Sequence, residues 1–256
     1  MKKINISKYL ILFTLLTFVL FFWEFGAKGT DARIFISTPS LSLDFFFHNY
    51  NFLLQATSIT LAESLIGLII ATVFSFLIMI VCFYIPKLMD IILPLMVTSQ
   101  VIPLVTLAPL FALIFDIGLT AKIMMAALLC FFPIFVNFAN GVNLIPKNIN
   151  ELMYIYNVST TQRIIRFYFP LSLPNIMTGL KVSATLSVIG AIMAEFCGSR
   201  IGLGKNLFLA SKRLNPELMI NSLILSSLLG GALYALVYFI EIKLGRWYIQ
   251  NKIIEK

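Results

Sequence analysis

Of the 256 residues, 60% are apolar and 12% charged, with a mean hydropathy of +0.97. A soluble domain carries about 25% charged residues and must show water much of its surface, which excludes a soluble globule of this composition; disordered chains are poor in apolar residues, which excludes disorder. The net charge of +8 reads as basic residues fixing topology at a membrane face rather than as a nucleic-acid surface.

In chain order, Met1, Lys2 and Lys3 precede an apolar run over residues 9–25. It has the outline of a signal peptide. Gly26-Ala27-Lys28-Gly29 puts a lysine where a small-residue cleavage site would stand, so an uncleaved first span is expected. A polar-aromatic segment follows, with Pro39 and an amphipathic patch over 41–47. The second span is predicted over 58–84, with Gly67, Ala71 and Ser75 at fourfold spacing that lets helix backbones approach closely. The third, 91–115, contains Pro94, Pro103 and Pro109 and is expected to be a bent helix packed within protein or facing a cavity. Its polar residues Ser99, Gln100 and Thr106 (with Thr98) are either a solute-pathway wall or packing contacts, and the residues alone leave both open.

The fourth span covers 119–142, the fifth 176–197 with Gly190 and Ala194, and the sixth 218–244 with Ser226/Gly230 and Ser227/Gly231 seams. Each run is long enough for the roughly 20 helical residues that a bilayer needs. Glu195 is the one acidic residue expected deep, with Arg200 near enough to pair with it. Residues 198–217 read as a basic, glycine-containing loop. The larger share of Lys and Arg falls on the side that holds both termini, so both termini are expected in the cytoplasm. The chain thus reads as an all-α membrane protein, one transmembrane domain over 1–256 with core helices over 58–244. Cys82, Cys130 and Cys197 sit in apolar runs and read as buried, inert thiols. His48 is the single histidine, so no histidine metal cluster is expected. Neither a nucleophile with its base nor a Gly-rich phosphate loop is visible, so the chain is expected to be neither an enzyme nor a nucleotide binder.

The segment 148–170 carries the most specific signal. Asn148 followed by Glu151 has the form of a capping box, and so has Ser159 followed by Gln162. Asn157 tolerates left-handed backbone angles and is the natural break between two short helices. Pro170 is expected to stop or bend the second. The result is a hairpin whose apolar side (Leu152, Met153, Ile155, Tyr156) either docks on a protein or on the lipid interface or merely closes two spans at the surface, and the residues alone leave both open.

At these residues the chain resembles the permeases of binding-protein-dependent ABC importers. Their cytoplasmic coupling motif is Glu-Ala-Ala, three residues, Gly, nine residues, Ile-x-Leu-Pro. Glu151 and Pro170 match its ends at the same interval. Leu152 and Met153 stand for the alanines, Asn157 for the glycine, and Phe167 and Phe169 for Ile and Leu. Leu173-Pro174-Asn175 through Gly179-Leu180 is similar to the lead into the family's fifth span, and Ala194-Glu195 through Gly202-Leu203-Gly204 to the segment after it. Ser99 to Pro103, Leu107 to Leu110, and Phe35 to Ser40 resemble the nitrate/sulfonate/taurine and pyrimidine-precursor branch.

The resemblance implies a six-helix type I importer permease that pairs with a second copy of itself in the plasma membrane. It implies that Glu151, Leu152, Met153, Tyr156, Asn157, Ser159 and Pro170 couple to cytoplasmic ABC ATPase subunits. ATP would bind those partners, with no cofactor on this chain, and an extracytoplasmic binding protein would deliver the solute. Within the branch that solute could be a sulfonate, nitrate, taurine, a pyrimidine precursor or riboflavin. A secondary transporter or channel would need an ion-coupling group or repeated halves, and an intramembrane enzyme would need reactive groups within the spans; neither pattern is evident.

Overall fold

The computed structural model describes residues 14, 15, 17–19, 21–26, 37–99 and 102–254, and every described regular element is helical. In order these are α1 (Pro39–His48), α2 (Tyr50–Tyr84), α3 (Pro86–Ser99), α4 (Leu104–Phe115), α5 (Leu119–Asn143), α6 (Lys147–Ile155), α7 (Thr160–Arg163), a π-helical turn (Ile164–Tyr168), α8 (Phe169–Phe196), α9 (Leu203–Arg213) and α10 (Pro216–Ile254). Residues 21–26, part of the expected first span, are also helical; the rest of that span lies largely outside the described residues.

Among the described residues, four helices are long and apolar enough to cross a membrane: Tyr50–Tyr84, Leu119–Asn143, Thr160–Phe196 and Pro216–Gly245. The expected second, fourth, fifth and sixth spans fall on them. α2 starts at Tyr50, before the predicted run, and Thr57 Oγ1 in its early turns donates to the Leu53 carbonyl at 2.8 Å. The 35 residues of α2 reach about 50 Å at 1.5 Å per residue, well beyond a hydrocarbon core of about 30 Å.

The expected third span is not one bent helix. It is broken into α3 and α4, of 14 and 12 residues, each about 20 Å long and too short to cross alone. Pro103 sits at the N-cap of α4 with φ −61°. Pro94 and Pro109 lie inside α3 and α4, and the break falls beside Pro103, which has no N–H to donate.

α5 lies at the centre, against α2 on one side and α8 on the other; α10 packs on α8. Small residues make these approaches possible. A Cβ at Gly67 would fall 2.6 Å from Ala126 Cβ, and one at Gly190 would fall 2.7 Å from Ala126 Cα. The seam expected in the sixth span is different: a Cβ at Gly230 or Gly231 would meet nothing within 4 Å. The core is built from Phe135, Phe138, Ile134, Met79 and Ile176, all essentially without exposure.

Candidate functional site

α2 and α5 run toward the turn before α6, and α8 runs back. The 148–170 segment therefore lies at one end of the bundle, and Glu195 lies at the other. The hairpin forms, but not through both expected capping boxes. α6 begins at Lys147 behind Pro146, whose φ of −57° already suits a helix, and no side chain caps it. Asn148 is thus inside the helix, and the Asn148–Glu151 box is not made. The second box is made: Gln162 N donates to Ser159 Oγ and Ser159 N to Gln162 Oε1, both at 3.4 Å. Between them Asn157 adopts φ 49°, and Val158 N donates to the Met153 carbonyl at 3.0 Å, a Schellman-type ending. Arg163 ties the two helices together, with Nε on the Val158 carbonyl at 2.8 Å and Nη2 on that of Met153 at 3.5 Å.

The hairpin's outer face differs from the expected one in one residue. Met153 is buried, 2% exposed, and packs inward. Tyr154, Ile155 and Tyr156 are 75%, 70% and 76% exposed, with Leu152 beside them. Glu151, Asn157 and Ser159 are also exposed. Pro170 does not stop the second helix. The π-turn widens the backbone just before it, Phe169 N donating to the Ile164 carbonyl, and the helix continues into α8.

The expected pathway residues Ser99, Gln100 and Thr106 fall partly outside the described residues. Gln100 lies outside the described residues, and Ser99 ends α3. Thr106 is exposed and donates to the Pro103 carbonyl at 2.6 Å. Beside the break, α2, α3, α4 and α5 line a half-open cavity of about 360 Å³ with apolar side chains, among them Ile70, Phe74, Met96, Phe111 and Phe131.

At the opposite end the chain buries two carboxylates, where one was expected. Glu63 of α2 is fully buried and accepts from Lys122 Nζ of α5 at 2.8 Å; its second oxygen, Oε2, is buried without a partner. Glu195, also fully buried, accepts from Thr60 Oγ1 at 2.7 Å and from Gly204 N at 2.6 Å, while Leu203 N donates to Thr60 Oγ1 at 3.0 Å. Arg200 is exposed and is not its partner. The network clamps the start of α9, an element hidden in the expected basic loop, onto α2 and α8. Gly202, at φ 146°, and Gly204 are required there, because a Cβ on either would fall on the Glu195 side chain. A second, partly exposed tie, Lys181 to Glu241 at 2.8 Å, joins α8 to α10.

Of the three thiols, Cys82 and Cys130 are buried and Cys197 is exposed, against the expectation that all three are enclosed. Among the described residues, no group of three or more His, Cys, Asp and Glu side chains is placed to hold a metal ion.

Residues 85–247 match the family model of the binding-protein-dependent transport system inner membrane component. The chain is 28% identical over 224 residues to a probable ABC transporter permease protein of Haemophilus influenzae, covering 87% of this chain and 90% of that protein. It is 34% identical over 190 residues to the formylaminopyrimidine transport permease protein ThiX of Halalkalibacterium halodurans, covering 71% and 73%. It is likewise 34% identical over 154 residues to the riboflavin transport system permease protein RibX of Chloroflexus aurantiacus, covering 60% and 58%.

Proposed function

The chain belongs to the family of binding-protein-dependent transport system inner membrane components, and from that premise we propose that it is the membrane path of an importer powered by ATPase subunits docked on the 148–170 hairpin. It is an ABC importer permease, a multi-pass protein of the bacterial plasma membrane. In the proposal two copies pair across the solute path, each with six spans and both termini in the cytoplasm. A binding protein delivers solute on the outer side, where the Glu195–Gly204 and Thr60–Leu203 contacts hold α9. One relative's name specifies formylaminopyrimidine and another's riboflavin. One scaffold serving such different solutes supports placing selectivity in the separate binding protein.

The observation that carries the reading is the hairpin's face. Leu152, Tyr154, Ile155 and Tyr156 form an exposed apolar patch on a short, internally tied element. The element projects beyond long apolar helices, and an exposed patch of this kind marks a docking surface. Glu151, Asn157 and Ser159 frame it, Pro170 sets the exit into α8, and Met153 supports it from beneath. Driving transport requires the ATPase to hold the hairpin differently in its two nucleotide states.

The test is Tyr156→Asp, which adds a charge to the patch without touching the core. Membrane insertion is expected to be unchanged, and solute transport per ATP hydrolysed in the purified assembly should fall at least about tenfold. Unchanged transport would refute the docking role. Ser99, Gln100 and Thr106 are proposed as pathway residues; alanine at all three should alter the half-saturation of uptake, and unaltered uptake removes that assignment.

A further inference from the structure

The hairpin and the bundle meet at a single wide turn. An α-helix running straight from Thr160 would drive the Pro170 ring into the Arg166 carbonyl four residues back. The π-turn over Ile164–Tyr168 makes room for it. Residues Thr160–Phe196 thereby stay one continuous apolar helix of 37 residues. Its first turn belongs to the hairpin, and its last turn carries Glu195, clamped to Thr60 and Gly204. A displacement of the hairpin has a rigid route to the far end of the molecule, provided the π-turn transmits it.

Tyr168 closes the π-turn and touches both α2 and α6. Its ring stacks on Phe83 of α2, centroids 5.1 Å apart and planes 24° from parallel. Its hydroxyl donates to Asn150 Oδ1 of α6 at 3.3 Å. Phe83 in turn lies 6.1 Å from Phe138 of α5, and the next residue, Phe169, packs on Phe76 of α2 at 5.6 Å. Tyr84 makes a parallel tie, its hydroxyl 3.1 Å from that of Thr161. The aromatic seam holds the π-turn against the end of α2.

We infer that the π-turn Ile164–Tyr168 is the joint that passes hairpin motion into α8, and that Tyr168, stacked on Phe83, is the positioning residue that keeps this joint engaged. The inference rests on the reading of the hairpin as the ATPase-docking element. A π-turn holds one residue more than the α-helical turn it could become. Conversion to α would shift the hairpin relative to α8 by one residue, about 100° of rotation and 1.5 Å of rise. Such a joint can either transmit a stroke or absorb it by changing register. The Phe83–Tyr168 stack opposes the change, because the ring cannot rotate away from α2 while the pair is intact.

The experiment compares Tyr168→Leu, Tyr168→Phe, Phe83→Leu and the double Phe83→Leu/Tyr168→Leu in the complete complex of permease, ATPase and binding protein, reconstituted in liposomes. Solute moved per ATP hydrolysed is read beside ATPase copurification and the thermal midpoint. Tyr168→Leu and Phe83→Leu should each lower the ratio about fivefold or more, with copurification and midpoint unchanged. Tyr168→Phe keeps the ring and should restore the ratio. The double variant should be no worse than either single one. A ratio unchanged in Tyr168→Leu and Phe83→Leu, or lowered equally in Tyr168→Phe, overturns the joint while leaving the docking reading standing. Copurification lost in Tyr168→Leu overturns it too, since Tyr168 would then belong to the docking face. A wild-type chain that brings down no ATPase refutes the docking reading itself, and the joint with it. Should Tyr168→Leu fail to fold, Phe83→Leu and Tyr168→Phe decide the outcome alone.

Discussion

Lys122→Met should be the most damaging single substitution at the carboxylate cluster. The Lys122 ammonium is the cation 2.8 Å from Glu63, whose side chain has no exposure and whose Oε2 has no other partner. The Glu195 carboxyl group lies in the same pocket. Removing the ammonium leaves an uncompensated buried charge, which costs about 3–5 kcal/mol. For a chain of this size about 1 kcal/mol moves the thermal midpoint by roughly 2–4 °C, so a fall of about 6–20 °C is expected in detergent. The reverse change, Glu63→Gln, should cost about 1–2 kcal/mol, because the Lys122 side chain is 12% exposed and its ammonium can reach water. Adding Glu63→Gln to Lys122→Met should recover most of the loss, since the buried charge is gone. Midpoints from size-exclusion stability assays on the four proteins give the coupling directly. A shift below about 3 °C for Lys122→Met, or a double variant no better than the single, would refute the reasoning.

Two further outcomes follow from the geometry. Gly204→Ala should cut the yield of folded protein, because the new Cβ meets the Ile192 carbonyl and the Glu195 side chain; overpacking alone costs about 1–3 kcal/mol. Gly230→Ala, which meets nothing within 4 Å, should leave the yield unchanged. Cys197 is exposed next to the Glu195 cluster while Cys82 and Cys130 are buried. A membrane-impermeant maleimide applied to intact cells should therefore label Cys197 alone. Labelling only after the cells are opened would invert the proposed topology.

The spans and the hairpin's turn were legible because their signals are local. Residues 119–142 form one apolar run between polar ends, and α5 spans Leu119–Asn143. Asn157 and the Ser159–Gln162 box need only their own neighbours, and both form as read. The Asn148–Glu151 box failed to a competitor two residues upstream, Pro146, which starts the helix itself. Three prolines signalled a disturbance in residues 91–115, but a bend and a break remove the same donors, and only packing decides between them. α9 was hidden because Lys205, Lys212 and Arg213 give it a loop-like composition. Glu63 was missed because its partner is 59 residues away. The Gly202–Gly204 pair beside Glu195 was the available clue that this carboxylate bonds to backbone rather than to Arg200.

The central claim is that this chain moves solute only on energy drawn from a docked ATPase. The most direct measurement is uptake into liposomes that hold the permease and its ATPase with ATP inside, and a solute-loaded binding protein outside. Uptake is expected to stop when the ATPase or ATP is omitted, and to drop sharply with Tyr156→Asp. Uptake that persists without the ATPase, or that follows an ion gradient instead, would contradict the account.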